Sequence, residues 1–203
     1  KNCKAIVIAC NSASAVAYNH IIKYITDIPI YNVIDPVVEM IIKDCTLKEI
    51  GVIGTKATID SGIYKEKINQ YCSEISVKSH PTPLLAPMVE EGFFVQEISR
   101  SIIKKYLTHN SLKNISTLIL GCTHYPLIKD EIIKFYNNQL NVIDSSEIVS
   151  QSIFEDLKKS KLISDLEKPT YHFIVSNYTK SFEKSAHFFF KENIKLEELD
   201  IWV

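Results

Sequence analysis

The strongest constraint on the fold is a run of five residues, Thr117-Leu118-Ile119-Leu120-Gly121, with no alternation of polar and apolar positions inside it. A strand wetted on one side alternates. A continuously apolar strand must be covered on both faces, as in a parallel sheet sandwiched between helices. Ala5-Ile6-Val7-Ile8-Ala9 and Ile50-Gly51-Val52-Ile53-Gly54 repeat the pattern. Strands are expected at 4–9, 30–34, 49–54, 74–79, 116–121, 140–143, 171–176 and 195–200. Amphipathic stretches at 12–25, 36–44, 57–71, 94–107, 126–136, 146–159 and 178–191 predict helices between them. Strict alternation of the two types is the signature of an α/β fold. The first strand is reached by Lys4, and a strand buried on both faces needs a preceding element. Residues ahead of Lys1 are therefore expected.

Local signals refine this outline. Ser12 is expected to cap the first helix, and Asp144 the helix that starts with Ser145-Ser146-Glu147, a capping-box spacing. Glycine is scarce, five residues in all against roughly 14 at average usage. Gly54 and Gly121 each close an apolar strand just before a polar loop, so the backbone there is expected to approach something closely. Asp35-Pro36 marks a domain start. Pro81, Pro83 and Pro87 are expected to stiffen a loop from His80 to Met88.

Composition excludes several functions. The net charge is −1, so the basic footprint of a nucleic-acid binder is missing. Of 23 cationic residues only Arg100 is arginine, which limits bidentate recognition of phosphate or carboxylate to one place. No apolar run approaches the ~18 residues of a membrane span. Neither G-x-G-x-x-G nor G-x-x-x-x-G-K occurs, so nucleotide binding is a poor reading. Five cysteines, an odd number and widely spaced, argue against a disulfide framework and fit a reducing cytoplasm.

Chemistry concentrates where the chain repeats itself. Ala5-Ile6-Val7-Ile8-Ala9-Cys10-Asn11-Ser12 and Thr117-Leu118-Ile119-Leu120-Gly121-Cys122-Thr123-His124 both read as apolar strand, small residue, cysteine, two polar residues, helix. Ligands of parallel α/β sheets sit beyond the carboxyl ends of the strands. Each cysteine is expected at such an end, beside a helix N-terminus whose dipole favours a thiolate. An arbitrary cysteine is more often an inert small hydrophobe, and Cys3, Cys45 and Cys72 are assigned to that class. Cys122-x-His124 supplies two zinc ligands, but the spacing is unusual and no second pair exists. At a third strand end, Thr55 and Thr58 offer two hydroxyls at a helix start, either as a plain N-cap or as substrate ligands. Glu90 and Glu91 carry little weight from spacing alone.

Ala9-Cys10-Asn11-Ser12-Ala13-Ser14-Ala15 and Leu120-Gly121-Cys122-Thr123-His124-Tyr125-Pro126-Leu127 resemble the two cysteine motifs of the glutamate racemases. Gly51 to Thr55, Leu85 to Gly92 and Val142 to Ser145 are similar to further segments in the same order. The resemblance spans essentially the whole chain. It implies two pseudo-symmetric α/β domains with the active site between them, the first from 1–34 plus 145–203 and the second from 35–144. It implies cofactor-independent interconversion of L- and D-glutamate, supplying D-glutamate for peptidoglycan and hence for the cell wall and cell shape. By the resemblance Cys10 and Cys122 are the catalytic acid/bases. Asn11, Ser12, Thr123 and His124 fall on substrate-binding positions, while His124 and Glu90, or else Glu91, fall on assisting ones. Glutamate is the expected partner, with a homodimer as the candidate assembly. Ser12 replaces the usual threonine. An early aspartate-containing segment of the family has no counterpart, which implies about 60 residues ahead of Lys1 and weak or absent activity of these 203 residues alone. The alternatives are an aspartate or hydantoin racemase of the same fold, a binding protein, or a zinc protein.

The physics suits such a reaction. Racemisation needs a base on one face of the α-carbon and an acid on the other. A free thiol near pKa ~8.5 needs only modest help to serve as either. No pyridoxal lysine site is evident, so the carbanion must be stabilised by aimed dipoles and proton donors. Ser12, Thr55, Thr58 and Thr123 are the candidate donors.

Overall fold

The computed structural model describes residues 3–93, 96–164, 168–190 and 194–201. The chain opens with β1 (Ile6–Ile8), α1 (Asn11–Ile21) and β2 (Ile30–Asn32), the strands pairing in parallel with Ile6 opposite Ile30. It continues through α2 (Asp35–Ile42), β3 (Glu49–Gly54), α3 (Lys56–Asp60), α4 (Ile63–Tyr71), β4 (Ser76–Pro81), α5 (Leu85–Glu90) and α6 (Glu97–Leu107). Next come β5 (Thr117–Gly121), α7 (Lys129–Phe135) and β6 (Asn141–Asp144). The strands β3 to β6 form a four-stranded parallel sheet in the order β4-β3-β5-β6. Finally come α8 (Ser145–Lys159), β7 (Phe173–Val175), α9 (Lys180–Phe190) and β8 (Leu196–Glu198), with β7 and β8 paired in parallel. The architecture is α/β, as the alternation requires.

The apolar runs are covered on both faces of the four-stranded sheet. Side chains alternate along a strand, and in β5 Ile119 enters one core while Leu118 and Leu120 enter the other. The Ile119 side packs Val37, Val38 and Ile41 of α2, Ile68 of α4 and Val149 of α8. The Leu120 side packs Leu85, Met88 and Val89 of α5, Ile103 of α6 and Ile132 of α7. Both clusters lie against the strands, so the carboxyl ends of β3, β4 and β5 are left to the loops that carry the polar motifs.

The structure departs from the sequence outline at four places. The stretch 57–71 is two helices, because Gly62 adopts φ +67° between α3 and α4. The expected loop from His80 to Met88 runs into α5 at Leu85. Its Pro87 lies in the first helical turn, where the missing N–H has no partner to lose. The start of 126–136 is a 3-10 turn over Tyr125–Ile128. Residues 94 and 95 of the expected helix 94–107, and 191 of 178–191, lie outside the described residues. Lastly, β1 is not buried on both faces: among the described residues it pairs with β2 only, and Val7 is 44% exposed.

Candidate active site

Gly54 and Gly121 stand opposite each other at the ends of β3 and β5. A Cβ on Gly121 would lie 2.8 Å from the Ile53 carbonyl oxygen, and one on Gly54 2.9 Å from that of Gly121. The close approach is therefore strand to strand. It brings the next residue of each strand, Thr55 and Cys122, out at the same edge. Thr55 caps α3, its hydroxyl accepting from the Thr58 N–H.

The third strand end arrives from β1. The N-cap of α1 is Cys10, with no side-chain capping bond, and Asn11 and Ser12 fall inside the first turn. Ser12 is therefore not the cap expected of it. Its hydroxyl lies 2.6 Å from that of Thr55 and 3.2 Å from that of Thr58, which are themselves 3.1 Å apart. Three hydroxyls form a triangle that ties α1 to α3. Ser14 anchors the same helix, donating to the Ile8 carbonyl and accepting from the Val33 N–H.

On the opposite side stands Cys122, 5% exposed, with its sulfur 3.6 Å from Nδ1 of His124. Nε2 of the same ring lies 3.0 Å from the Glu90 carboxylate at the end of α5. The geometry selects Glu90 over Glu91 as the partner of His124. Burial pushes the Cys122 thiol up to about 11, offset in part by a backbone hydrogen bond from His124, with Cys10 and Glu90 adding to the upward push. Cys122 does lie just ahead of a helical N-terminus, a 3-10 turn over Tyr125–Ile128 that runs directly into α7, but desolvation outweighs the help of that dipole. Cys10, by contrast, is exposed, as is Thr123, while Thr58 and Asn11 are buried.

The site is backed from α9. The Ser185 hydroxyl donates to the Glu90 backbone carbonyl at 2.6 Å, and the Phe189 ring meets His124 edge-on. Glu90, His124, Phe182 and Phe189 line a cavity of about 540 Å³ there. Beneath the site, Tyr64 of α4 receives the Asn11 side-chain N–H at 2.9 Å. Sequence reasoning missed Tyr64, Ser185 and Phe189. They lie in ordinary amphipathic helices, and only the tertiary approach of α4 and α9 gives them a role.

The remaining cysteines correct an expectation. Cys45 and Cys72 are joined by a disulfide with Cα atoms 5.9 Å apart. Cys45 lies just beyond α2 and Cys72 caps α4, two helices on one face of the sheet. Their ends meet side by side, which a spacing of 27 residues does not reveal. Cys3 and Cys45 are exposed, so neither is the buried hydrophobe expected. Among the described residues no group of three or more His, Cys, Asp or Glu side chains is placed to hold a metal ion.

Chemically, the arrangement offers an exposed thiol, a buried thiol backed by imidazole and carboxylate, and a cluster of neutral hydroxyl donors. Residues 1–153 match the model of the Asp/Glu/Hydantoin racemase family. A glutamate racemase of Persephonella marina is 39% identical over 197 residues, covering 97% of this chain and 73% of that protein. The crystal structure of glutamate racemase from Francisella tularensis in complex with D-glutamate superposes with a TM-score of 0.89 at 36% identity, covering 97% of this chain and 73% of the other. That of the isoform RacE1 from Bacillus anthracis gives 0.91 at 32%, covering 98% and 75%. By motif, fold and similarity over most of its length, the chain belongs to the Asp/Glu/Hydantoin racemase family.

Proposed function

We propose that this protein interconverts L- and D-glutamate without a cofactor, with Cys10 and Cys122 as the two proton-transfer groups. The observation that carries the reading is the Cys122–His124–Glu90 array at one strand end, close enough to Cys10 for that thiol to add to the upward push on Cys122. On this reading residues 1–34 with 145–203 belong to one α/β body and 35–144 to the other, with the substrate between them and α8 reaching across to the sheet of the second through Val149.

In the D-to-L direction the Cys10 thiolate removes the α-proton and Cys122, kept protonated by burial, returns one on the opposite face. In the L-to-D direction Cys122 must first lose its proton. Nδ1 of His124 takes it, and the Glu90 carboxylate steadies the imidazolium through Nε2. Ser12, Thr55, Thr58, Thr123 and Asn11 bind the substrate and offer neutral donors to the charge that develops on its α-carboxylate. The product serves peptidoglycan synthesis, and the enzyme works in the cytoplasm.

The test is racemisation of each glutamate enantiomer in D₂O by the full-length gene product, followed by circular dichroism and α-proton NMR. The expected product carries deuterium at the α-carbon from the first turnover. Conversion with the original α-proton retained, or conversion of aspartate in place of glutamate, overturns the reading.

A further inference from the structure

Tyr64 is buried at 2% exposure on α4, outside the strand-end motifs. Its hydroxyl makes the one hydrogen bond that the described residues give the Asn11 side chain, whose Oδ1 is buried without a protein partner. Asn11 directly follows Cys10, at the first position of α1. The Tyr64 ring also lies 3.5 Å from the point where a Cβ on Gly121 would stand, and Gly121 directly precedes Cys122. One rigid side chain thus touches the neighbour of each cysteine. A phenol fixed by its ring in a close-packed core has little freedom to follow a moving partner, so it sets where that partner rests.

We infer that Tyr64 is a positioning residue for proton transfer at Cys10: its hydroxyl holds Asn11, and with it the Cys10 end of α1, in register with the Cys122 strand end that its ring covers. The inference rests on the two-thiol reading of the site. The hydroxyl and the ring then have separable effects. The hydrogen bond of the hydroxyl goes to the Cys10 side, and the ring backs the Cys122 side.

The experiment is Tyr64→Phe in the full-length gene product, which removes one oxygen atom and keeps the ring. Loss of one buried hydrogen bond corresponds to about a tenfold rate effect. Racemisation kcat is expected to fall by about that factor with little change in KM. Elimination of HX from a β-substituted glutamate analogue needs a single proton abstraction. It is expected to fall about tenfold for the D-configured analogue, served by Cys10, and to hold for the L-configured one. On an Asn11→Ala background, Tyr64→Phe is expected to add nothing, because it acts through Asn11. Equal losses for both enantiomers, no loss for either, or an additive double variant overturns the role of Tyr64. Cys10→Ser and Cys122→Ser are run in the same assay. If these controls do not show opposite enantiomer preferences, the two-thiol reading falls and the role of Tyr64 falls with it.

Discussion

Nε2 of His124 lies 3.0 Å from the Glu90 carboxylate, while the other nitrogen of the ring faces the Cys122 sulfur. Glu90 is 57% exposed on its side chain, so solvent screens much of its charge. Glu90→Gln is therefore expected to lower kcat/KM by about tenfold, the low end for loss of a charged hydrogen-bond partner. The fall must be equal in both directions, because enantiomers have an equilibrium constant of one. The asymmetry will show in one-proton elimination, where the L-configured analogue slows and the D-configured one does not. Equal slowing of both would remove Glu90 from the Cys122 side.

Cys10→Ser and Cys122→Ser are each expected to abolish racemisation, since a serine hydroxyl is a far weaker acid and base than a thiol. Each variant keeps one working face. Elimination should survive for the L-configured analogue in Cys10→Ser and for the D-configured analogue in Cys122→Ser. A shared preference, or racemisation at the parent rate in either variant, would refute the two-base assignment.

The raised thiol of Cys122 predicts a pH profile. At pH 7 a group titrating near 11 is ionised in ~1 molecule in 10⁴. Iodoacetamide at neutral pH should therefore label exposed Cys10 well before Cys122, as read by peptide mass mapping. The Cys122 rate should climb about tenfold per pH unit toward about 11. A plateau below pH 9 would show that burial does not control this thiol. Cys45 and Cys72 should be labelled only after reduction.

Two glycines separate packing from conformation. Gly121→Ala would set a Cβ against the Ile53 carbonyl and must spread the strand ends. It should cost about 1–3 kcal/mol and also depress kcat, since Cys122 moves with it. Gly62→Ala meets no neighbour but sits at φ +67°. It should cost about 1 kcal/mol from the left-handed conformation alone, with kcat unchanged. Denaturant melts and steady-state rates on both variants distinguish the two. Equal kcat values would break the link between the strand ends and the site.

What could be read beforehand was whatever a local pattern carries. The uniform apolar run Thr117–Leu120 specified a sheet covered on both faces, and the repeated strand–cysteine segments marked the strand ends. The helix α5 was hidden because three prolines read as a loop, although Pro87 occupies a first turn that tolerates it. The Cys45–Cys72 link and the contacts of Tyr64 and Ser185 depend on which helix ends lie side by side. That information belongs to the tertiary arrangement and leaves no periodic trace. Ser12 shows the limit within a single residue. Its side chain suits a cap, but the cap falls two residues earlier at Cys10 and frees the hydroxyl for Thr55.

The hydroxyls of Ser12, Thr55 and Thr58 close a ring in which every oxygen is within bonding distance of the other two. Each hydroxyl gives one proton and can receive two. Such a ring can circulate its donors clockwise or anticlockwise, as protons do in ice, by rotation about three C–O bonds with no heavy atom displaced. A fixed amide or guanidinium has one handedness of giving and taking. A reversible ring has none of its own, so any one of its three hydroxyls can turn its proton outward while the other two stay bonded to each other.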